Sequence, residues 1–412
     1  MPRPAHLLMA CVVALLGLGV VMVRSAGMNV ASAEIDAAAF DGTVRPEALL
    51  GVLRNQNLAY ALLAVAAMAL GYRIDLSRVF RGRGWRSPVL WVTLGAVVLC
   101  GITLVPGVGH NVNGASRWLR VGPPGSSAGV TFQPSEVMKW SLVVALAWWC
   151  ARRRGAMHRM AWGLMPPLLL VGLACGLIVI EDLGTAGLLA AVSVVVLVAG
   201  GARLWQLACF VPFAAAAVVA AVAQSPYRVR RLTAFLDPWA DHQGTGYHPI
   251  QSMLAFAQGG VSGRGLGQSV QKYYIPEDTT DFVFPVLAEE LGLGGAAMVV
   301  GLYLAILWLG LGVARRCPHL FGRLVAVGVL LTLGLQAAIN LAVVTVVVPT
   351  KGIALPLISA GGTGWVLTAF AIGLVASLDR EEEVEPRMNA DEQGWEPDVV
   401  RGCTTESPRH PC

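Results

Sequence analysis

The stretch "AVGVLLTLGLQAAINLAVVTVVV" (326–348) is apolar throughout most of its length. It is long enough to cross a lipid bilayer as one helix, which takes about 20 residues. A similar run, "LLMACVVALLGLGVVMV" (7–23), lies near the N-terminus. A helix satisfies its own backbone hydrogen bonds and can therefore cross lipid as a single element. These runs predict an all-α protein whose helices span a membrane.

The composition also indicates a polytopic membrane protein. Of the 412 residues, 56% are hydrophobic and 13% are charged, and the mean hydropathy is +0.64. A soluble domain usually has about 25% charged residues. No nucleotide-binding motif occurs, and we expect no nucleic-acid partner. The eight cysteines form no C-x-x-C pair, so we predict no metal centre.

Ten apolar segments follow one another along the chain, and we predict that each is a transmembrane helix. The eighth is too long for one straight crossing, so it is expected to tilt or to begin outside the membrane. Residues 1–378 would form the membrane domain, and the acidic, polar residues 379–412 would form a disordered cytoplasmic tail. The predicted spans are 6–24, 56–72, 88–106, 134–151, 162–180, 184–200, 204–223, 282–313, 323–349 and 352–378.

Arginines indicate the orientation, because short cytoplasmic loops are enriched in Lys and Arg. Residues 72–86 contain five arginines, 151–159 contain four and 314–323 contain three. These segments follow the second, fourth and eighth predicted spans. They therefore lie on one side of the membrane, the cytoplasm, together with both termini. The long connection between the seventh and eighth spans, residues 224–281, is then extracytoplasmic.

Several basic residues lie on the outer side, where this rule does not place them. Arg117 lies in the loop 107–133, and the long connection contains Arg228, Arg231 and Lys272. An anionic ligand on the outer face is one explanation, because arginine binds phosphate groups through two parallel hydrogen bonds. Contact with lipid head groups is the other explanation.

Carboxylates around the start of the eighth span also need a reason, because a charge buried in lipid is costly. Glu289 and Glu290 lie within the apolar run, so at least one should face inward and pair with a cation. Asp281 directly precedes the run; it could cap the N-terminus of the helix, or it could act chemically. Glu136 and Lys139 are three residues apart on the fourth span, and we expect them to form a structural pair.

Four segments together resemble one known family. They are "GASRWLRVG…FQPSEVMKWSLVV" (114–144), "EDLGTA" (181–186), the long stretch 235–296 that contains "TTDF", and "PTKGIALPLISAGGTG" (349–364). In this order they resemble the SEDS proteins (shape, elongation, division and sporulation), of which FtsW and RodA are the best known. The chain departs from the family pattern at Glu181, Thr279 and Ala360.

The resemblance implies ten transmembrane helices and a peptidoglycan glycosyltransferase in the bacterial cytoplasmic membrane. Such an enzyme polymerises lipid II into glycan strands on the outer face, together with a class B penicillin-binding protein transpeptidase and other division proteins. Lys351 of "PTKG" is more typical of the FtsW branch, which favours a role in cell division. A lipid II flippase and a non-catalytic division scaffold are the alternatives.

The resemblance also implies roles for individual residues. Asp281 occupies the position of the aspartate in the T-D-F motif, the essential acid of the family, and is expected to take the proton of the attacking sugar hydroxyl. A divalent cation could assist with the phosphates, but no ligand cluster in the sequence compels one. The candidates for binding the pyrophosphate of the donor are Arg117, Arg228, Arg231, Lys272 and Lys351.

Overall fold

Helices dominate the structure of the chain, which is a computed structural model. The residues that it describes are 3–26, 56–82, 87–105, 110–112, 115–121, 130–275 and 279–393. In chain order the helices are α1 (Pro4–Ala26), α2 (Gln56–Arg73), α3 (Leu76–Arg81), α4 (Pro88–Thr103), α5 (Pro134–Arg152), α6 (Met165–Glu181), α7 (Leu183–Ala199), α8 (Leu204–Ala208), α9 (Val211–Ala223), α10 (Pro226–Leu236), α11 (Tyr247–Gly259), α12 (Val283–Arg316), α13 (Leu320–Val344) and α14 (Thr363–Gln393). Short 3₁₀ turns cover Arg154–Ala156, Pro238–Asp241 and Gln271–Tyr273, and a π-helical turn, Met160–Leu164, precedes α6.

Each of the ten predicted spans contains a helix in the structure. Five described helical stretches are able to cross a membrane by their length and composition, and α4 and α7 are shorter apolar helices. The fold is therefore that of a helical protein with several membrane-spanning segments. The five stretches are Pro4–Ala26, Met160–Glu181, Leu204–Ala223, Val283–Arg316 and Leu320–Val344.

A small antiparallel sheet between α4 and α5 is not predicted by the sequence analysis. Its strands are β1 (His110–Val112), β2 (Ala115–Val121) and β3 (Val130–Phe132), in the order β1–β2–β3. The strands are three to seven residues long. Strands of three residues are too short for an alternation of polar and apolar residues to be recognised, and the seven residues of β2, ASRWLRV, do not alternate. The protein is therefore mainly helical, with one sheet placed in the loop 107–133.

The prediction for the last two spans is wrong where they meet. Helices α13 and α14 are separated by residues 345–362, which are not helical and which we call the buried connector. Within it Leu357 has a φ of 65° and Gly362 a φ of 38°. Ile353 and Leu355 are 5% and 1% exposed, whereas Val347 is 66% exposed, so the connector enters the core in its second half. Apolar composition alone does not separate a buried loop from a buried helix.

The structure also differs from the predicted disordered tail. Residues 379–393 continue α14, and residues 394–412 lie outside the described part of the chain. Glu, Met and Ala in this extension are good helix formers. At its start, Arg380 donates a hydrogen bond to the Arg73 carbonyl oxygen at 3.0 Å, and its guanidinium lies 5.6 Å from the centre of the Tyr72 ring.

The three arginine-rich segments meet at one end of the bundle. Arg152 Nη2 donates to the carbonyl oxygens of Phe80 and Gly82, at 2.5 Å each. The Phe80 ring stacks on that of Phe321, with 5.3 Å between their centroids. Helix α5 runs from this end of the bundle to the other, because Arg152 at its C-terminus belongs to this cluster and Glu136 near its N-terminus lines the cavity described below.

Helices α2 and α14 approach each other closely because both have a glycine in the contact. A Cβ on Gly373 would lie 2.2 Å from the Met68 carbonyl oxygen, and a Cβ on Gly71 would lie 2.5 Å from that of Phe370. In lipid the hydrophobic effect does not drive helices together, so close van der Waals packing of this kind stabilises the contact. It fixes α14, whose N-terminus borders the candidate site.

We predict that the connection 224–281 faces the outside of the cell. A cysteine in place of the exposed Gln243 should react with a membrane-impermeant maleimide in intact cells. A cysteine in place of Gly155, which is exposed at the arginine-rich end, is the control and should react only after permeabilisation. Labelling is compared with the unsubstituted chain, which already has eight cysteines. Reaction at position 243 only after permeabilisation would contradict the orientation.

We predict that Gly373→Ala destabilises the fold, because the backbone of α2 must move to make room for the methyl group. Overpacking of this kind costs about 1–3 kcal/mol. Gly172→Ala on α6 is the matched control, because nothing lies within 4 Å of its Cβ position and alanine is the better helix former. Thermal unfolding in detergent should give a lower midpoint for Gly373→Ala alone. An unchanged or raised midpoint for that variant would refute the close-contact explanation.

Candidate functional site

A cavity of about 350 Å³ lies among α5, α7, α13, α14 and the residues directly before α12. Trp118 of β2 and the buried connector complete its wall. The charged side chains in this wall are Glu136, Lys139, Asp182 and Asp281. Charged groups are costly in a membrane protein and mark functional sites, so the cavity is the candidate site for a polar ligand.

Asp281 lies between α12 and the buried connector. Helix α12 begins at Val283 and its N-cap residue is Phe282. Asp281 is therefore not the N-cap residue, which argues against the capping interpretation. A Cβ placed on Gly352 would lie 2.6 Å from Asp281 Oδ2, so the carboxylate rests against the connector backbone. Asn340 Nδ2 donates to the Asp281 carbonyl oxygen at 2.9 Å.

The chain is anchored on both sides of Asp281. On one side, Ala360 N donates to the Thr279 carbonyl oxygen at 2.8 Å. On the other side, Phe282 is 6% exposed, and its ring stacks on that of His248 with 5.4 Å between centroids. The position of the carboxylate is therefore set by packing and by backbone hydrogen bonds.

Glu136 and Lys139 form the pair that their spacing predicts, and Lys139 is 1% exposed. Lys139 Nζ lies 2.8 Å from Glu136 Oε2 and donates to Gln336 Oε1 at 2.9 Å. Its ammonium group also lies 5.0 Å from the centre of the Trp140 ring. A buried charge is tolerated only when it is paired and hydrogen-bonded. The pair therefore stabilises the cavity wall and, since both residues line the cavity, it also contributes to the local charge.

Asp182 is a cavity residue that the sequence analysis does not assign. It is the N-cap of α7, where it accepts hydrogen bonds from Gly184 N at 2.9 Å and from Thr185 N and Oγ1 at 3.1 and 2.8 Å. The sequence signal that could have found it is an Asp directly before the apolar run that starts at Leu183, because Asp is a preferred N-cap residue. A Cβ on Gly184 would lie 2.8 Å from Lys351 Nζ, so the Lys351 side chain crosses the first turn of α7.

Two of the predicted basic residues come together beside the connector. Arg231 Nη1 donates to the Thr350 carbonyl oxygen at 3.3 Å, directly before Lys351 in the chain. Arg117 lies in β2, but its side chain is outside the described part of the structure. Its neighbour Trp118 lines the cavity.

Like Arg231 and Lys351, Arg228 and Lys272 are not residues of the cavity wall, in contrast to the expectation for a pyrophosphate ligand. Arg228 donates to the carbonyl oxygens of Ala221 in α9 at 2.9 Å and of Val179 and Ile180 in α6 at 3.2 Å. Lys272 is 5% exposed and donates to the carbonyl oxygens of Gly267 at 2.8 Å and Ser25 at 3.3 Å. Cations next to the C-terminal carbonyls of helices stabilise them, so these contacts are structural.

Glu289 and Glu290 are buried and hold the loop that precedes α12. Glu289 accepts hydrogen bonds from Ser269 Oγ at 2.5 Å and from the backbone nitrogens of residues 270 and 271 at 2.9 and 3.2 Å. It also pairs with Arg264 at 3.3 Å. Glu290 accepts from Ser25 Oγ at 2.6 and 2.8 Å. These contacts give both acids a structural role.

The turn before α11 is held by Asp241. Its carboxylate accepts hydrogen bonds from Thr245 N and Oγ1 at 2.9 and 3.0 Å. These bonds lower the pKa of Asp241 below its ordinary value. Because the folded-state pKa is depressed, the stabilisation is present above the ordinary aspartate pKa and is lost as the pH falls through the lower value. The turn leads into the helix that carries His248.

The arrangement can therefore accept a proton and bind an anion. Asp281 provides a carboxylate at the cavity wall, and the adjoining connector residues 350 and 351 bring in the Arg231 and Lys351 cations. Among the described residues, no group of three or more His, Cys, Asp or Glu side chains is placed to hold a metal ion.

Relatives of the chain cover most of its length. Residues 5–384 match the FtsW/RodA/SpoVE family model, described as cell cycle protein. A protein of Thioalkalivibrio sulfidiphilus named "Probable peptidoglycan glycosyltransferase FtsW" is 40% identical over 375 residues, which is 90% of this chain and 88% of that protein. A protein of Geobacter sulfurreducens with the same name is 37% identical over 374 residues, covering 90% and 93% of the two chains.

Solved structures of similar proteins share the fold. A chain from work on the "structural coordination of polymerization and crosslinking by a peptidoglycan synthase complex" superposes with a TM-score of 0.68 at 28% identity, covering 91% of this chain and 97% of that one. The rod shape determining protein RodA of Thermus thermophilus gives a TM-score of 0.59 at 25% identity, with coverage of 91% and 96%. From the family match over residues 5–384 and these relatives, the chain belongs to the FtsW/RodA/SpoVE family of cell cycle proteins.

Proposed function

We propose that this chain is a peptidoglycan glycosyltransferase that polymerises lipid II on the outer face of the cytoplasmic membrane during cell division. The observation that carries the proposal is a cavity in a membrane protein with the Asp281 carboxylate in its wall, resting against Gly352. Lys351 is the residue before Gly352, and Arg231 binds the carbonyl oxygen of Thr350, so both cations belong to the adjoining part of the connector. The names of the two relatives support the same activity.

The proposed reaction joins two lipid-linked sugars. A hydroxyl oxygen of the acceptor attacks the anomeric carbon of the donor, and the bond from that carbon to the lipid pyrophosphate breaks. The bonding electrons leave with the pyrophosphate, and Asp281 takes the hydroxyl proton. A positioned base of this kind contributes about 10²–10⁴-fold to the rate. The energy comes from the pyrophosphate bond of the donor itself.

Arg231 and Lys351 are the proposed ligands of the pyrophosphate, and Arg117 stays a candidate on the ground of its position in the sequence alone. An arginine fork binds phosphate oxygens in pairs, and a lysine acts as a point charge. Arg228 and Lys272 are not proposed for this role, since both donate to carbonyl oxygens near the C-termini of helices. A divalent cation could assist at the phosphates, and polymerisation in the presence of a chelator tests this.

An enzyme explains the charge distribution better than a flippase. A path for flipping lipid II needs charged groups across the middle of the membrane. The charged residues of the cavity instead come from the N-terminal ends of α5, α7 and α12, which lie at one end of the bundle. A division scaffold would need no such cavity.

A class B penicillin-binding protein is the proposed partner, together with other division proteins. One structural relative comes from a peptidoglycan synthase complex, and Lys351 favours the division branch. Both termini are proposed to lie in the cytoplasm, because the arginine-rich segments gather at the opposite end of the bundle from the cavity.

We predict that Asp281→Asn folds but does not polymerise lipid II. Asparagine has the same size, but it cannot accept a proton from a sugar hydroxyl, so the rate should fall by about 10²-fold or more. Asp237→Asn is the matched control, because Asp237 is exposed in the same loop and caps a 3₁₀ turn, which asparagine can also do. Glycan ladders from equal amounts of purified protein are the measurement. Near-normal glycan ladders from Asp281→Asn would show that Asp281 is not the base.

We predict that Gly184→Ala weakens substrate use by displacing the Lys351 side chain. The added Cβ would lie 2.3 Å from Lys351 Cε, and a flexible side chain moves more easily than the backbone. KM for lipid II should rise several-fold while thermal stability changes little. Gly187→Ala, on the same helix with nothing within 4 Å of its Cβ position, is the control. An unchanged KM for Gly184→Ala would count against Lys351 as a pyrophosphate ligand.

A further inference from the structure

Three polar side chains lie on one face of the apolar helix α13. Thr332, Gln336 and Asn340 are four residues apart, so they stand one above the other. They are 0%, 9% and 1% exposed. Thr332 Oγ1 donates within its own helix, to the Gly328 carbonyl oxygen at 2.6 Å. The other two side chains reach neighbouring elements, and they do so in different ways.

Asn340 bridges the chain before α12 and the buried connector. Its Nδ2 atom donates one hydrogen bond to the Asp281 carbonyl oxygen at 2.9 Å and another to the Ile353 carbonyl oxygen at 2.7 Å. The two hydrogens of the amide nitrogen are thus both used. Ile353 directly follows Gly352, against which the Asp281 carboxylate rests. One side chain therefore fixes the distance between the two backbones that enclose the carboxylate.

The hydrogen bonds of the Asn340 amide are made by its nitrogen and not by its oxygen. Its Oδ1 atom is buried and accepts no hydrogen bond from the described residues. A buried unpaired polar atom costs free energy. The reverse orientation would place this oxygen against two carbonyl oxygens, which would repel it. An apolar side chain of similar volume would avoid the unpaired oxygen, but it would leave both carbonyls without a donor.

Gln336 anchors the same connector without contacting Asp281. Its Nε2 atom donates to the Ala354 carbonyl oxygen at 2.9 Å, and its Oε1 atom accepts from Lys139 Nζ at 2.9 Å. If anchoring the connector were the whole role of these amides, loss of either would have a similar effect on the reaction. Only Asn340 is bonded to the residue that we propose as the base.

We propose that Asn340 is a positioning residue for the polymerisation reaction: it sets the place of the Asp281 carboxylate relative to the connector by holding the backbones of Asp281 and Ile353 together. This inference rests on the proposed role of Asp281. A catalytic group displaced by about 1 Å can lose about 10²-fold in rate. Asn340 therefore affects the chemical step, although it does not touch the substrate.

The test compares purified Asn340→Leu, Gln336→Leu and Thr332→Val in lipid II polymerisation. We expect Asn340→Leu to lower kcat by about 10-fold to 100-fold with KM within a factor of about 3. Gln336→Leu should lower kcat much less and should act mainly on KM, because Gln336 contacts Lys139 in the cavity wall. Thr332→Val removes a hydroxyl from the same buried face and should leave both constants unchanged. Asn340→Ala removes the same donors and is used if the leucine variant does not accumulate.

Equal losses of kcat in the Asn340 and Gln336 variants would overturn the proposal and leave both as anchors of the connector. A normal kcat in Asn340→Leu or Asn340→Ala would also overturn it. The Asp281→Asn variant, measured in parallel, separates this result from the proposed function. If Asp281→Asn is active, Asp281 is not the base and the proposed function loses its catalytic residue. If Asp281→Asn is inactive while the Asn340 variants have normal kcat, only the positioning role of Asn340 is wrong.

Discussion

The buried connector, residues 345–362, places irregular backbone among the helices, and its polar groups must be satisfied by protein because lipid offers no hydrogen bonds. Side chains of several helices do this. Gln336 and Asn340 donate to the carbonyl oxygens of Ala354 and Ile353. Tyr303 Oη donates to the Pro356 carbonyl oxygen. Within the connector, Leu355 N donates to Ser359 Oγ at 2.8 Å, and Trp365 Nε1 of α14 donates to the Ser359 carbonyl oxygen at 2.7 Å.

The same contacts that satisfy the connector also build the candidate site. The connector forms one wall of the cavity, and Gly352 leaves room for the Asp281 carboxylate beside the chain. On its other side, the connector packs against α1, where a Cβ on Gly19 would lie 2.7 Å from the Leu357 carbonyl oxygen. Stability and chemistry therefore depend on one set of hydrogen bonds, which explains why polar side chains occur in an apolar helix such as α13.

A second buried polar cluster supports α12 at a distance from the cavity. The helix is interrupted at Gly292, whose φ is 65°, and the glycine-rich loop before it packs into this break. A Cβ on Gly263 would lie 2.3 Å from the Glu290 carbonyl oxygen, so only glycine allows the approach. The carboxylates of Glu289 and Glu290 hold this loop and the end of α1. The three acids around the start of α12 therefore have different places. Asp281 lies at the cavity, whereas Glu289 and Glu290 stabilise the helix and its neighbours.

The sequence by itself determined the helical membrane fold, the family and the clustering of arginine-rich segments. Hydropathy, charge and the order of motifs are properties of the chain that need no knowledge of its tertiary contacts. It also predicted the Glu136–Lys139 pair, since three residues on a helix bring side chains together. It could not separate Arg231 from Arg228, because both are arginines of one connection and either can bind a carbonyl oxygen; in the structure Arg228 contacts α6 and α9, and Arg231 contacts Thr350 of the connector. Only the tertiary structure decided which partner each one meets. It also decided that residues 345–362 are a loop whose second half is buried, since contacts from distant helices, Asn340 above all, satisfy the backbone there.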